Sequence, residues 1–212
     1  EGVRCFFRNW KYDIQGHCVE VPALNTALPV CIKTWQTAEK YGLIWIWVGA
    51  EAPKTLPHVP ELEQVDCDYQ LGSRFVKNCH PNVLLINAID AHHFNTVHNL
   101  PLEIVFQRRD LNESAVTFSN TTRGGDDSWL IRLIRPLYRE AVTYSMSYWY
   151  GSTGTVTLGP DFLHFYILFA LRLTEGGKTE GQTILLTPKR SGCLGWAVNR
   201  GLLWLTQQVG NY

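Results

Sequence analysis

Asn87-Ala-Ile-Asp90-Ala-His-His93-Phe-Asn-Thr-Val-His98 sets an acid, a histidine three residues on and a second histidine five further along one segment. Two imidazoles and a carboxylate can hold ferrous iron while leaving coordination positions open for oxygen and substrate. On an unbroken helix His93 and His98 would stand about 140° apart. Joint ligation therefore requires a break, and Asn95-Thr96, whose side chains compete for backbone hydrogen bonds, is the place for one. Without it, one histidine is a polar core residue and the other a surface residue. Asp90, one turn before His93, is placed to orient that ring, the alternative being an exposed helix carboxylate. Asn87 continues the polar stripe on a helix that is otherwise apolar at Val83-Leu-Leu-Ile86. Such a stripe is costly to bury without partners.

Outward from this segment the patterning is mixed. Pro81 suits the first turn of a helix, and Asn82 to His93 has helical apolar spacing. Tyr69 to Val76 alternates as a strand, and Pro53, Pro57 and Pro60 mark a linker or extended loop. Gly42-Leu-Ile-Trp-Ile-Trp-Val-Gly49 predicts a buried strand, and Lys11 to Gly16 a strand entering a turn. On the other side, Ile104 to Arg109 and Ser114 to Thr122 form a hairpin around Asp110-Leu-Asn-Glu113. Ala141 to Trp149, Phe162 to Leu173 and Gly181 to Thr187 read as strands joined by Gly/Thr-rich or Gly/Lys-rich turns. Gly192 to Tyr212 reads as an amphipathic helix. Antiparallel strands with segregated helices give an α+β class.

Composition narrows the partners. The 212 residues carry 19 basic and 19 acidic side chains, so no net field draws the chain to nucleic acid or anionic lipid. The longest apolar run, Phe162 to Leu173, is too short to span a bilayer. Cys5, Cys18, Cys31, Cys67, Cys79 and Cys193 form no CxxC pair. In a chain of this length that favours reduced thiols and a cytoplasmic protein. Glu1 is not an initiator methionine, and the chain reads as a fragment.

A second motif runs Cys5-Phe-Phe-Arg8-Asn9-Trp10-Lys-Tyr12-Asp13-Ile-Gln-Gly16-His17-Cys18-Val-Glu-Val21-Pro22-Ala23. It resembles the second half of a Rieske [2Fe-2S] motif, in which C-x-x-H is followed by G-W-x-[YF]-D-x-x-G-x-C and a proline. The motif's histidine falls on Arg8. Together with Asn87-x-x-Asp90-x-x-His93-x4-His98, the order resembles the Rieske non-haem iron oxygenases (aromatic ring-hydroxylating dioxygenase α subunits and their demethylating relatives). Gly42 to Gly49 is similar to the strand that closes their Rieske domain.

That resemblance implies a partial Rieske domain over residues 1–50. It implies a helix-grip-like antiparallel catalytic domain over 51–212. His93 and His98 would ligate the mononuclear Fe(II), and Cys5 the [2Fe-2S] cluster. Asp90 would pass electrons from a neighbouring subunit's cluster to His93 within a homotrimer. The other C-x-H pair would precede Glu1, and the third iron ligand, an aspartate, would follow Tyr212. A ferredoxin or reductase would supply electrons, and O2 and a small organic substrate would react. Phe165, Ile167 and Phe169 could line an apolar substrate pocket, or be ordinary core. A guanidinium has no lone pair for iron, so Arg8 leaves three readings open: a single-base error, a loss of the cluster, or His17 standing in. Cys18 matches a non-ligand position and reads as a packed thiol.

Two other classes compete. A degenerate paralogue would keep only a binding or assembly role. A zinc hydrolase would need a glutamate beside its first histidine, where this chain has Phe94.

Overall fold

The computed structural model describes residues 2–24, 26–49, 51, 55–97, 104–122, 142–160 and 164–210. It divides into two units, Glu1–Thr55 and Leu56–Tyr212. The secondary structure is β-dominated with a few helices, as an α+β class requires. Among the described residues no helix is long and apolar enough to cross a membrane.

In the first unit, strands β1 (Gly2–Arg4), β2 (Lys11–Asp13) and β3 (Cys18–Glu20) form an antiparallel sheet in that order. The β2–β3 turn is fixed by Asp13, whose Oδ1 accepts the backbone N–H of Gln15 at 3.0 Å and of His17 at 2.9 Å. Gly16 sits there at φ 89°, and a Cβ would lie 2.3 Å from the Ile32 carbonyl oxygen. A second ribbon pairs β4 (Gln36–Lys40) with β5 (Leu43–Trp47). Its two-residue loop, Tyr41-Gly42, has φ of 57° and 72°, the left-handed pair a tight hairpin demands. The strand expected over 42–49 is thus present but not buried. It pairs only with β4, and Ile44 is 75% exposed and Ile46 59%.

The second unit is a seven-stranded antiparallel sheet. Its strands are β6 (Cys67–Lys77), β7 (Gln107–Asn112), β8 (Ala115–Thr122), β9 (Val142–Trp149), β10 (Thr153–Pro160), β11 (Phe165–Leu173) and β12 (Thr179–Pro188). The spatial order is β6-β12-β11-β10-β9-β8-β7. Helices α1 (Pro81–Asn87) and α2 (Ala91–Thr96) lie between β6 and β7 in sequence, and α3 (Gly192–Gly210) ends the described chain.

Three expectations change. The Gly/Thr-rich turn after Trp149 is strand β10, in which Thr153, Thr155 and Thr157 alternate with Gly154, Val156 and Leu158. Alternating β-branched residues are the strand signal that glycine masked. The β7–β8 hairpin turns at Glu113-Ser114 rather than across 110–113, so β7 runs on to Asn112. The single helix over 82–93 is two helices, for the reason given below.

The faces of the sheet differ in chemistry. Met146, Val156, Ile167 and Leu185 are aligned across β9, β10, β11 and β12. Leu85 of α1 packs with Met146, Val156 and Leu171, and Leu203 of α3 with Ile167 and Leu185. The opposite face buries the hydroxyl row Ser145, Ser147, Thr153, Thr155 and Thr157 beside the apolar Trp149, Leu168, Ile184 and Leu186. Residues 56–65 cover it. Glu61, at the short 3-10 turn Pro60–Leu62, accepts from Ser145 Oγ at 2.6 Å and Thr157 Oγ1 at 3.1 Å. His58 packs against Trp149 with ring centroids 4.7 Å apart. Helix α3 is anchored by Asn199, 1% exposed, which accepts from Arg190 Nη1 and donates to Asp68 Oδ2.

Candidate functional site

Helix α1 starts on His80, whose Nδ1 accepts the Asn82 backbone N–H at 3.2 Å, with Pro81 in the first turn. Capping this helix is the role the structure gives His80. The helix then rests on β9 at three points along one period-2 row. Tyr148 Oη donates to Asn82 Oδ1 at 2.6 Å, and Met146 packs with Leu85. Tyr144 Oη donates to the Ala88 carbonyl at 2.6 Å. Burial pushes the Tyr144 phenol well above its ordinary value, so it remains a donor. Gly154 makes room for this docking, because a Cβ there would lie 2.5 Å from Leu85 Cδ2 and 3.2 Å from Met146 Cε.

After Asn87 the helix tightens and stops. Ala88, Ile89 and Asp90 donate their N–H groups to Leu85, Ile86 and Asn87, three residues back. Asp90 then takes an extended conformation, φ −92° and ψ 104°, and caps α2. Its Oδ1 accepts the backbone N–H of His92 at 2.9 Å and of His93 at 3.3 Å. Asp90 is therefore not on the face of a continuous helix; it is the residue at which the chain restarts one. The preference of aspartate for that cap position was the signal available in the sequence.

His93 is half-buried in the first turn of α2, and His92 is exposed. Helix α2 ends at Thr96, whose Oγ1 donates to the His92 carbonyl at 2.7 Å, and Val97 follows as its C-cap. Asn95 and Thr96, where a break is expected, are both still helical, and the helix ends only after them. His98 lies outside the described residues. Among those described, no three His, Cys, Asp or Glu side chains converge as a metal group. His93 supplies one imidazole, a donor that suits iron.

Beside this helix pair is a cavity of about 260 Å³ lined by Asn82, Leu85, Ile86, Ile89, Val116, Phe118, Met146 and Tyr148. It opens between α1 and strands β8 and β9, not over β11. Phe165, Ile167 and Phe169 do not line it; Ile167 is core, packed with Leu185 and Leu203.

In the first unit, residues 5–10 form the turn between β1 and β2. Cys5 N–H donates to the Trp10 carbonyl and Asn9 N–H to the Cys5 carbonyl, each at 2.8 Å. Asn9 is left-handed at φ 57°, a conformation asparagine tolerates. Backbone N–H groups of Arg8 and Phe7 hold the Cys5 thiol below its ordinary range, with the Arg8 charge adding to them. The turn suits a thiolate. Where the motif it resembles carries a histidine, this turn carries Arg8, a group with no lone pair for iron, its guanidinium 5.9 Å from the Trp10 ring centre. His17 does not take that histidine's place. His17 pairs with Asp13 at 3.3 Å in the β2–β3 turn, at the other end of β2 from Cys5. A three-residue strand separates the two turns by roughly 10 Å. Cys18 is buried, as a packed thiol should be, and none of the six cysteines is in a disulfide.

No protein-family model matches the chain. Among curated proteins it is 37% identical over 112 residues to the aminopyrrolnitrin oxygenase PrnD of Pseudomonas fluorescens, covering 47% of this chain and 30% of that protein. It is 34% identical over 104 residues to the cholesterol 7-desaturase nvd of Bombyx mori, covering 47% of this chain and 22% of that protein. The chain resembles the Rieske oxygenases in sequence. Its fold agrees with theirs. The crystal structure of dicamba monooxygenase bound to dicamba superposes with a TM-score of 0.59 at 17% identity, over 87% of this chain and 59% of that one. The matches thus span less than a third of the curated relatives and under two thirds of the Rieske oxygenase structure.

Proposed function

We propose that this chain is part of a Rieske-type oxygenase in which the second unit is the iron-bearing catalytic domain. On this reading residues 51–212 form that domain, and residues 1–50 are the C-terminal part of a Rieske-type domain. The observation that carries it is the run Ile89-Asp90-His93, which leads within four residues from the wall of an apolar cavity to a half-buried imidazole. His93 and His98 would hold ferrous iron, and that iron supplies the binding and activation of O2. The chain's own contribution is positional. Tyr144 and Tyr148 fix α1, Asp90 starts α2 in the orientation that presents His93, and the cavity offers an organic substrate an apolar wall. Asp90 also keeps a carboxylate beside the iron ligand, the place for a group that links this site to an electron source.

The reaction proposed is hydroxylation or demethylation of a small cyclic substrate. The relatives' names point the same way, with ring compounds such as aminopyrrolnitrin and dicamba. Electrons would come from a ferredoxin or reductase, and the assembly would be a homotrimer. No route through a cluster in this chain is drawn, because Arg8 cannot ligate it. That observation favours one second reading: a paralogue that has lost its electron input and keeps a binding role.

Iron retention tests the main reading. The full-length protein, loaded with Fe(II) and desalted, should retain about one mononuclear iron, and His93→Ala should lose it by at least about tenfold in affinity. Equal retention by His93→Ala would remove His93 as a ligand.

A further inference from the structure

The turn that joins β2 to β3 gathers an acid, an imidazole and a thiol that the proposed function does not use. A single antiparallel bridge pairs His17 with Cys31. Its hydrogen bonds run around that pair rather than within it. Cys18 N–H donates to the Val30 carbonyl at 2.9 Å, and Ile32 N–H to the Gly16 carbonyl at 2.8 Å. His17 and Cys31 are therefore a non-hydrogen-bonded pair, the closer kind, with Cα atoms about 4.5 Å apart and side chains on one face. That face is the open one. Cys31 is exposed and the His17 side chain is 64% exposed, whereas Cys18, the next residue, is buried. Cys31 Sγ lies 3.8 Å from the carbonyl oxygen of Gln15, a residue of the same turn.

Asp13 holds the imidazole. Its Oδ1 accepts the N–H groups of Gln15 and His17, and its Oδ2 faces His17 Nδ1 at 3.3 Å. A carboxylate there accepts the Nδ1 proton, so the neutral ring carries its lone pair on Nε2. An oriented imidazole beside a thiol can take the thiol proton as sulfur attacks. The open surface suits a small reagent that brings its own leaving group. Cys18, the adjoining cysteine, belongs to the buried face, so the second sulfur comes from a separate molecule.

We propose that Cys31 is a reversible modification site that exchanges with small disulfides, with His17 as the base and Asp13 as the residue that positions it. The thiol proton passes to His17 Nε2 as Cys31 Sγ attacks one sulfur of the disulfide. A bond forms between Sγ and that sulfur, the old sulfur–sulfur bond breaks, and the departing thiolate takes the proton back from His17. Cys31 is oxidised to the mixed disulfide, and the half of the reagent that leaves is reduced to a thiol. Attack by a second small thiol reverses the step. The site needs neither iron nor a cluster, and it stands apart from the oxygenase reading.

The test follows the reaction of the full-length protein with bis(2-hydroxyethyl) disulfide, an uncharged reagent, by peptide mass spectrometry at each cysteine. Cys193, also exposed, is the internal reference. Cys31 should react about tenfold faster than Cys193, within the roughly thirtyfold open to an ordinary thiol that is a few per cent ionised at pH 7. His17→Gln keeps a polar side chain at an exposed position and should bring Cys31 down to the reference rate. Asp13→Asn keeps an oxygen for the two backbone N–H groups of the turn. It should slow Cys31 by about threefold or more, because an amide N–H beside Nδ1 favours the other tautomer. In both variants the Cys193 rate and the circular dichroism should stay as in the wild type. In urea the Cys31 and Cys193 rates should converge. Equal rates in the folded protein, or an excess at Cys31 that survives His17→Gln or urea, would overturn the proposal.

Discussion

The turn that carries Cys5 and the helix pair that carries His93 are both short polar segments at a proposed ligand position, and they are held in opposite ways. The Cys5 turn is made by its own backbone, through two bonds of 2.8 Å and a left-handed Asn9. Its side chains face solvent, with Phe6 104% and Phe7 86% exposed. The helix pair is made by tertiary contacts: two tyrosines from β9, a glycine in β10 and a capping aspartate. Neither backbone bond of that turn involves the side chain at position 8. A ligand position there can be lost while the unit stays folded. The helix pair has no such freedom, because its ligand position depends on groups that also hold the fold.

The largest effect that would separate these two designs is expected at Asp90. Asp90→Ala removes both the charge and the α2 cap, and should lower stability by about 1 kcal/mol and abolish turnover in an intact enzyme. Asp90→Asn keeps a capping oxygen, so stability by chemical denaturation and iron retention should stay near wild type while turnover still falls by about a hundredfold. Near-normal turnover in Asp90→Asn would reduce Asp90 to a structural cap.

Gly154→Ala probes the docking of α1 next. The added Cβ would meet Leu85 and Met146 inside contact distance, and overpacking of this kind costs about 1–3 kcal/mol. The His93 site should loosen with it, read as weaker iron retention in parallel with the lower melting temperature. A change of the same chemistry in the Cys5 turn should leave the second unit untouched.

Tyr144→Phe should cost about 1 kcal/mol, the net value of the hydrogen bond to the Ala88 carbonyl. Its pH dependence has a definite sign. Burial raises the folded-state value of this phenol above the usual 10.0, so the folded chain holds its proton more tightly than the unfolded chain. The stabilising difference is complete below that value and is lost as pH climbs above it. Denaturation between pH 8 and 11 should show a shallower alkaline decline for Tyr144→Phe than for wild type. Tyr148 and Tyr166, also raised by burial, leave the remaining slope.

Much of this was legible in sequence where one periodicity ruled. The strands β6, β9, β11 and β12 and the helix α3 follow from patterning. The failures share a cause. At 82–93 the apolar period continues through Ala88 and Ile89, and only the capping preference of Asp90 marks the restart. At 153–158 glycine and threonine suggested a turn, whereas burial against Glu61 and Leu85 makes a strand. The Tyr144, Tyr148 and Asn82 contacts join residues more than fifty positions apart, and no local pattern encodes such pairs. Of the two readings of Phe165, Ile167 and Phe169, core holds for Ile167, which packs with Leu185 and Leu203.

We propose that iron belongs to the second unit while Arg8 denies the first unit its cluster. Iron and acid-labile sulfide analysis of the full-length protein, with electron paramagnetic resonance after reduction, tests both halves at once. The account predicts about one iron per chain, no acid-labile sulfide and no Rieske signal, with the signal appearing in Arg8→His. Two sulfides per chain with a Rieske signal in the protein that carries Arg8 would contradict it.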